Sequence, residues 1–333
     1  TGTVTLSASA SDNVGVASVE FEVDGIAVGA PDTAAPFSIG IDSANYAAGQ
    51  HHARARARDA AGNVSPWSGA TVRFGGASNR ARGFSVDEGW LIGLSNATGF
   101  VQTPDGPLFI AQQGGAVRVW KNGALLAAPF VQLSELDTNG ERGLIGIALD
   151  PNFAGNGHVY LYYTSTAGGT HNRISRFTAG GDVATGGETV LVDLPSLSSA
   201  QNHNGGGMQF GIDGRLYVGV GDNAQPALAQ DRGNVFGNVT RFNDEGSIVS
   251  DNPHYATESG LARAVWASGL RNPFSFTIQP GSGRMHVNDV GQDTWEEINL
   301  GAAGANYGWP GSEGPDNVGA GITGPLFTYR HGA

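Results

Sequence analysis

Cysteine is absent from this 333-residue chain, and lysine occurs once, at Lys121. Without cysteine the protein has no disulfide, no thiolate metal site and no cysteine nucleophile. The net charge is -12, so the chain lacks the basic surface that neutralises the phosphates of nucleic acids or anionic lipids. No segment approaches the roughly 18 consecutive apolar residues that a membrane span requires. These absences argue against nucleic-acid partners and against a membrane span.

Glycine, by contrast, is abundant, with 53 residues, and 40% of the chain is apolar. That apolar content is enough to give each of two domains a core. The apolar residues do not recur at helical spacing over any long stretch. They form short segments between glycine-containing turns, which is typical of β-strands. We therefore predict an all-β protein.

The first part of the chain alternates apolar and polar residues with a period of two, as strands of a half-buried sheet do. Arg54, Arg56 and Arg58 alternate with alanines in one such stretch, which indicates the solvent face of a strand rather than a binding patch. The segments SASASDNVGVASVEFEVDG and ARARDAAGNVSPW resemble the immunoglobulin-like (Ig-like) modules of bacterial extracellular proteins. This resemblance implies an Ig-like β-sandwich at residues 1–76, with a spacer role favoured over a carbohydrate-contacting one. It also implies a secreted or periplasmic bacterial protein.

A small, polar, non-periodic stretch follows and predicts a linker at residues 77–85. Beyond it, a glycine-containing turn leading into a short apolar strand occurs four times. The four copies are PDGPLFIAQ from residue 104, LDPNFAGNGHVYLYYT from 149, IDGRLYVGVGD from 212 and PGSGRMHVNDVG from 280. Their spacing of roughly 45 to 70 residues suits four-stranded propeller blades with variable loops. We therefore predict a β-propeller over residues 86–333.

The segment from Gln201 to Asn223, QNHNGGGMQFGIDGRLYVGVGDN, is the most informative for chemistry. Its histidine, His203, stands between two asparagines and before three glycines, in a loop where backbone can approach a ligand closely. An imidazole there can act as a base near neutral pH. An ordinary turn residue is the competing interpretation, because a lone histidine carries little information.

Three further segments favour a catalytic role for His203 over an ordinary turn residue. They are GERGLIGIALDPNF from residue 140, VWASGLRNPFSFTIQP from 265 and NDVGQDTWEEINLGAAGANYGWP from 288. With the His203 loop, in this order, they resemble the soluble pyrroloquinoline-quinone (PQQ) glucose and aldose sugar dehydrogenases and the related hedgehog-interacting-protein-like propellers, from about Trp90 onward. The resemblance implies a six-bladed propeller, of which the chain would contain the first four blades, so we expect a longer natural protein. It also implies PQQ and calcium as cofactors, with a sugar and an unidentified electron acceptor as partners.

By the same resemblance, His203 is the general base that takes the proton of the anomeric hydroxyl. Asp222 matches an acid near this base, and Asn202 stands where the glucose enzymes have an aspartate that orients it. Glu141 matches a position that faces the sugar. Arg271 and Asn272 match residues that bind the quinone carbonyls, although Asn-Pro is also a turn signal and a purely structural turn is the alternative.

The segment DVGQDTWEEINL resembles the family's calcium-binding loop, in which backbone carbonyls hold the ion. Gly291 and Gln292 match those carbonyl donors, and Glu297 and Tyr307 match a second, structural calcium site. A solvated acidic loop is the alternative for Asp289, Asp293, Glu296 and Glu297. The nearby tryptophans Trp266, Trp295 and Trp309 are explained by blade packing at least as well as by stacking on sugar rings.

Two departures from the family pattern leave a second function open. Asn238 stands where the family commonly has lysine, and the family's further basic residues that hold the quinone carboxylates come from the last third of its propeller. The alternative to a PQQ- and calcium-dependent aldose dehydrogenase is therefore a non-catalytic calcium-binding propeller that binds a glycan or a protein. Retention of His203, Arg271 and Asn272 together favours the enzyme.

Overall fold

The computed structural model describes residues 3–46, 49–74, 91–315 and 318–331. The chain divides into two compact units, Thr1–Glu88 and Gly89–Ala333. The predicted linker at residues 77–85 lies outside the described residues, so the domain boundaries stay a prediction.

The first unit consists of two antiparallel sheets, one of strands β1 and β4 and one in the order β3-β2-β5-β6. The six strands are β1 (Thr3–Ala8), β2 (Val16–Val23), β3 (Ile26–Ala27), β4 (Phe37–Asp42), β5 (Gly49–Asp59) and β6 (Ser68–Phe74). Apolar residues on the inner faces of both sheets form its core, among them Phe21, Phe37 and Ile41. The predicted sandwich is confirmed.

The period of two in β5 also gives the expected faces. Ala53 is buried in the core, whereas Arg54 and Arg56 lie on the other face and stack on the ring of Trp67, with guanidinium carbons 5.1 and 4.5 Å from its centroid. The register of β2 and β5 places Glu20 opposite Arg56. The arginines thus belong to a cross-strand ion-pair face rather than to a binding patch.

The second unit contains four antiparallel sheets, each built from consecutive strands. The first has β7 (Ala97–Gln102), β8 (Leu108–Gln112), β9 (Ala116–Lys121) and β10 (Ala124–Leu125), with β11 (Val131–Gln132) also pairing to β9; the second has β12 (Leu144–Leu149), β13 (His158–Ser165), β14 (His171–Gly180) and β15 (Val183–Ser196). The third has β16 (Met208–Phe210), β17 (Leu216–Val220), β18 (Asn238–Phe242) and β19 (Val265–Ala267); the fourth has β20 (Pro273–Ile278), β21 (Met285–Asp289), β22 (Trp295–Leu300) and β23 (Phe327–Arg330).

These sheets are propeller blades. The first strands of successive blades, β7, β12, β16 and β20, lie side by side, and an apolar cluster fills each space between neighbouring blades. The four sequence repeats contain the second strands of the blades, β8, β13, β17 and β21. The prediction of an all-β protein with a propeller is therefore confirmed.

In the described ranges, helical structure is confined to short segments. They are the α-helix α1 (Phe153–Asn156) and the 3-10 turns Ser43–Asn45, Pro226–Gln230 and Gly260–Ala264. Within the described part of the chain, no helix has the length and apolar character needed to cross a membrane.

Candidate active site

The loop that contains His203 lies between β15 and β16 and packs directly against the end of β17. A Cβ atom on Gly205 would lie 2.2 Å from the carbonyl oxygen of Gly219, and one on Gly221 would lie 2.2 Å from that of His203. Only glycine permits such a backbone-to-backbone approach. The approach brings His203 next to Asp222, the second residue after β17.

His203 is held in an uncommon backbone conformation. Its φ is +57°, in the left-handed region that residues with a Cβ rarely adopt. Two hydrogen bonds keep it there, because its N–H donates to Oε2 of Glu141 at 2.7 Å and its carbonyl accepts from Asn223 N at 3.1 Å. Strain at a buried histidine that is fixed on both sides is typical of a functional position.

The side chains of His203 and Asp222 form a buried pair. Nδ1 of His203 lies 2.7 Å from Oδ1 of Asp222, and the two residues are 6% and 0% exposed. A carboxylate at Nδ1 favours the tautomer that carries its proton there and leaves Nε2 free to accept one. The pairing that the resemblance implied for these two residues is present in the structure.

Asn202 and Glu141, unlike His203 and Asp222, are exposed. Asn202 is exposed, and its backbone oxygen accepts from Nδ2 of Asn223. Asp222, not Asn202, is the residue on the histidine ring. Glu141 is also exposed, and one carboxylate oxygen accepts from the backbone of His203. The roles predicted for Asn202 in catalysis and for Glu141 in sugar binding stay predictions.

Arg271 and Asn272, which follow β19, are fixed by Asp289 at the end of β21. The two carboxylate oxygens of Asp289 accept from the backbone N–H groups of Arg271 and Asn272, at 2.9 and 2.7 Å. Burial raises the pKa of Asp289 to about 8, although these two hydrogen bonds oppose the shift. Asp289 and Glu297 are both buried, at 6% and 8% exposure. The alternative of a solvated acidic loop is therefore wrong for these two residues, because they serve as acceptors for neighbouring backbone.

The side chain of Asn272 and the backbone of Arg271 contact the segments that carry His203 and Asp222. Oδ1 of Asn272 accepts from Gly205 N at 2.9 Å, and the backbone oxygen of Arg271 accepts from Asp222 N at 2.8 Å. The Arg271 guanidinium donates to Val290 O at 3.0 Å and to Oε1 of Gln292 at 3.0 and 2.7 Å. A guanidinium and an amide can both donate to the oxygens of a quinone, and hydrogen bonds to Gly205 and Asp222 tie these two residues to the segments that carry the base.

The predicted calcium loop between β21 and β22 has its peptide groups oriented by Glu313. Oε1 of Glu313 accepts from the N–H groups of residues 292–295, at 2.6, 3.2, 3.4 and 3.4 Å. In a trans peptide, the carbonyl of one residue points opposite to the N–H of the next. The carbonyls of Gly291 and Gln292 therefore point away from Glu313, as donors to a cation would have to.

Side chains alone do not make a metal centre here. Within residues 3–46, 49–74, 91–315 and 318–331, no group of three or more His, Asp or Glu side chains is placed to share an ion. Glu297 accepts from Gly314 N and Asn299, and burial raises its pKa. The Tyr307 hydroxyl donates to Leu300 O at 2.7 Å. The roles predicted for Glu297 and Tyr307 in a second calcium site stay predictions.

Two residues near the site were not predicted from the sequence. Arg142 is buried and pairs with Asp137 at 2.6 Å, while its other terminal nitrogen donates to Ser198 O and Ala200 O. It thereby ties the loop before β12 to the segment that leads into His203. Trp309, for which blade packing and stacking on a sugar ring were the two interpretations above, donates from Nε1 to Oδ2 of Asp222 at 2.8 Å. The sequence signal for Trp309 was its place in the motif GANYGWP.

The comparison with family models identifies the second unit. Residues 94–325 match the model described as Glucose / Sorbosone dehydrogenase. The chain belongs to the glucose/sorbosone dehydrogenase family. Residues 1–55 match the model described as Bacterial Ig domain, which agrees with the sandwich of the first unit.

The chain is similar to proteins that are named as sugar dehydrogenases. It is 33% identical over 207 residues to aldose sugar dehydrogenase YliI of Escherichia coli, covering 61% of this chain and 55% of that protein. It is 28% identical over 254 residues to quinoprotein glucose dehydrogenase B of Acinetobacter calcoaceticus, covering 67% and 52%. The PQQ-bound structure of an aldose sugar dehydrogenase from Streptomyces coelicolor superposes with a TM-score of 0.63, at 29% identity, over 72% of this chain and 69% of that one. The chain spans about half the length of these curated relatives.

Proposed function

We propose that the protein is a PQQ- and calcium-dependent dehydrogenase that oxidises an aldose at its anomeric hydroxyl to the lactone. The observation that carries this proposal is the buried His203–Asp222 pair beside Arg271 and Asn272. It joins an oriented base to donors for a quinone, a combination that a propeller serving only as a binding scaffold does not need. Membership of the family and the similarity to aldose sugar dehydrogenases support the same activity.

In the proposed reaction, Nε2 of His203 takes the proton of the anomeric hydroxyl as the C=O bond of the lactone forms. Asp222, bonded to Nδ1, stabilises the imidazolium that results. The bound quinone would supply the two-electron acceptor for the hydride that leaves the anomeric carbon. Arg271 and Asn272 would hold its oxygens, and the carbonyls of Gly291 and Gln292 would hold the calcium ion next to it.

The resemblance assigns Glu141 to the sugar, and its bond to His203 N would link sugar contact to the position of the base. The electron acceptor that reoxidises the cofactor is an unidentified partner. The match to a bacterial Ig domain supports a protein that works in the periplasm or outside the bacterial cell, with the first unit as a spacer.

Dye-linked oxidation of a panel of aldoses, with added calcium and PQQ, tests this proposal. We expect turnover that requires both additives, and we expect His203→Ala to lower kcat by roughly 10²- to 10⁴-fold, the usual contribution of a general base. His286→Ala, a half-buried histidine in β21, is the matched control and should keep wild-type kcat. Absence of turnover and of quinone binding would instead favour the calcium-binding propeller that presents its loops to a glycan or a protein.

A further inference from the structure

Trp309 connects the base side of the site to the quinone side. The residue is 9% exposed, its Nε1 donates to Asp222, and the Arg271 guanidinium lies 5.6 Å from its ring centroid. Its backbone is fixed as well, because Trp309 N donates to Gly269 O at 2.9 Å and Trp309 O accepts from Nε2 of Gln230 at 2.7 Å. The indole therefore occupies one defined position.

In this position the indole of Trp309 is one of three hydrogen-bond donors to the carboxylate of Asp222. Oδ1 accepts from Nδ1 of His203 at 2.7 Å and from Ala224 N at 2.8 Å, whereas Oδ2 accepts from the indole of Trp309 at 2.8 Å. Rotation about the Cβ–Cγ bond of Asp222 moves both carboxylate oxygens, so donors on both oxygens restrain the carboxylate plane more tightly than donors on Oδ1 alone. The indole supplies the donor on the oxygen that His203 does not contact, and the restrained plane sets where the His203 ring is held.

We propose that Trp309 is a positioning residue that fixes Asp222 and, through it, the ring of His203. For catalysis this inference rests on the proposed function. A packing role alone would be met by any aromatic ring of similar volume, but a buried carboxylate oxygen with no donor is costly. The indole N–H, rather than the bulk of the ring, is the group that matters.

Trp309→Phe separates the two roles, because it keeps an aromatic ring against Arg271 and removes the N–H. We expect kcat to fall about 10- to 100-fold, which corresponds to the cost of leaving a buried acceptor unsatisfied. The KM for the sugar and the affinity for PQQ, measured by titration, should change less than about threefold. Trp266→Phe is the matched control, since Trp266 is partly buried and contacts Tyr217 edge-on at 5.1 Å. Equal kcat for Trp309→Phe and the wild type would overturn the proposal.

A second measurement needs no cofactor and no turnover. In the full chain without PQQ, NMR should detect the proton on Nδ1 of His203 as a slowly exchanging signal, identified by its loss in His203→Ala. Trp309→Phe should broaden this signal or speed its exchange at least tenfold, whereas Trp266→Phe should leave it unchanged. An unchanged signal in Trp309→Phe would refute the positioning role even if kcat falls. Lack of turnover in the wild type, with the signal behaving as expected, would instead reject the proposed function and leave the Trp309–Asp222–His203 linkage standing.

Discussion

An ion pair from each unit of the chain shows two different degrees of burial. In the sandwich, Arg56 and Glu20 pair across neighbouring strands at 2.8 Å with side chains 31% and 24% exposed. In the propeller, Arg142 and Asp137 pair at 2.6 Å with side chains only 7% and 10% exposed. Water screens the first pair, whereas the second depends almost wholly on its protein partners.

This contrast raises the question of where the chain buries its charged and polar side chains. Burying a charge is unfavourable unless it is paired and hydrogen-bonded, so such groups persist only where the surrounding structure satisfies them. In the propeller they include His203, Asp222, Arg271 and Asp289 at the candidate site, and also Arg241, which pairs with Asp213. In the sandwich, Glu20 and Glu22 pair with Arg56 and Arg54 on the strand face away from the core, where Glu22 is covered and 7% exposed.

The largest effect is expected for Arg142→Ala. Its loss leaves a buried carboxylate on Asp137 and two carbonyls, Ser198 O and Ala200 O, without their donor. Removing one partner of a buried pair costs about 3 to 5 kcal/mol. We expect the free energy of unfolding, measured by urea denaturation, to fall by about that amount. The unfolding free energy of Arg142→Lys should lie between those of the wild type and Arg142→Ala, because the lysine ammonium keeps the charge but lacks the planar, forked set of donors of a guanidinium.

The pH dependence sharpens this prediction. Burial opposes ionisation of Asp137, but hydrogen bonds from Asn139 and Arg142 outweigh it and hold the pKa of this carboxyl below its ordinary value. A lowered pKa in the folded state stabilises the fold above the ordinary pKa of aspartate, about 4, and that stabilisation is lost as the pH falls through the lowered value. The difference between Arg142→Ala and the wild type should therefore shrink at acidic pH. A difference independent of pH would show that the ion pair is not its source.

A smaller effect is expected for Glu313→Ala. This half-buried carboxylate accepts hydrogen bonds from four consecutive N–H groups of the loop 291–295. Its removal should lower the free energy of unfolding by about 1 to 3 kcal/mol. Because the same bonds orient the carbonyls of Gly291 and Gln292, calcium affinity measured by calorimetry should fall too. Asp293→Ala, an exposed carboxylate in the same loop, is the control. If Glu313→Ala and Asp293→Ala bind calcium with equal affinity, the carbonyls of Gly291 and Gln292 are not ligands of the ion.

Sequence patterns predicted the strands of the blades, but not the residues whose hydrogen bonds connect segments far apart in the sequence. Turn-then-strand repeats are local, so the second strand of each blade could be located. His203 and Asp222 were found because each lies in a recognisable motif. Arg142 and Trp309 were not found as site residues, since Arg142 binds carbonyls 56 and 58 residues away and Trp309 binds a carboxylate 87 residues away. Such pairs leave no period in the sequence and appear only when the blades close on one another.

The smallest effect is expected in the sandwich, for Arg56→Ala. Arg56 pairs with Glu20 and stacks on Trp67, but both interactions are partly open to water. Exposed ion pairs contribute about 0.2 to 1 kcal/mol, and exposed cation–π contacts about 0.5 to 1 kcal/mol. We therefore expect unfolding of the sandwich, followed by fluorescence of Trp67, to lose about 1 kcal/mol at low salt and less at high salt, because salt screens the ion pair. A loss as large as that of Arg142→Ala, or one insensitive to salt, would mean that exposure does not separate the two units.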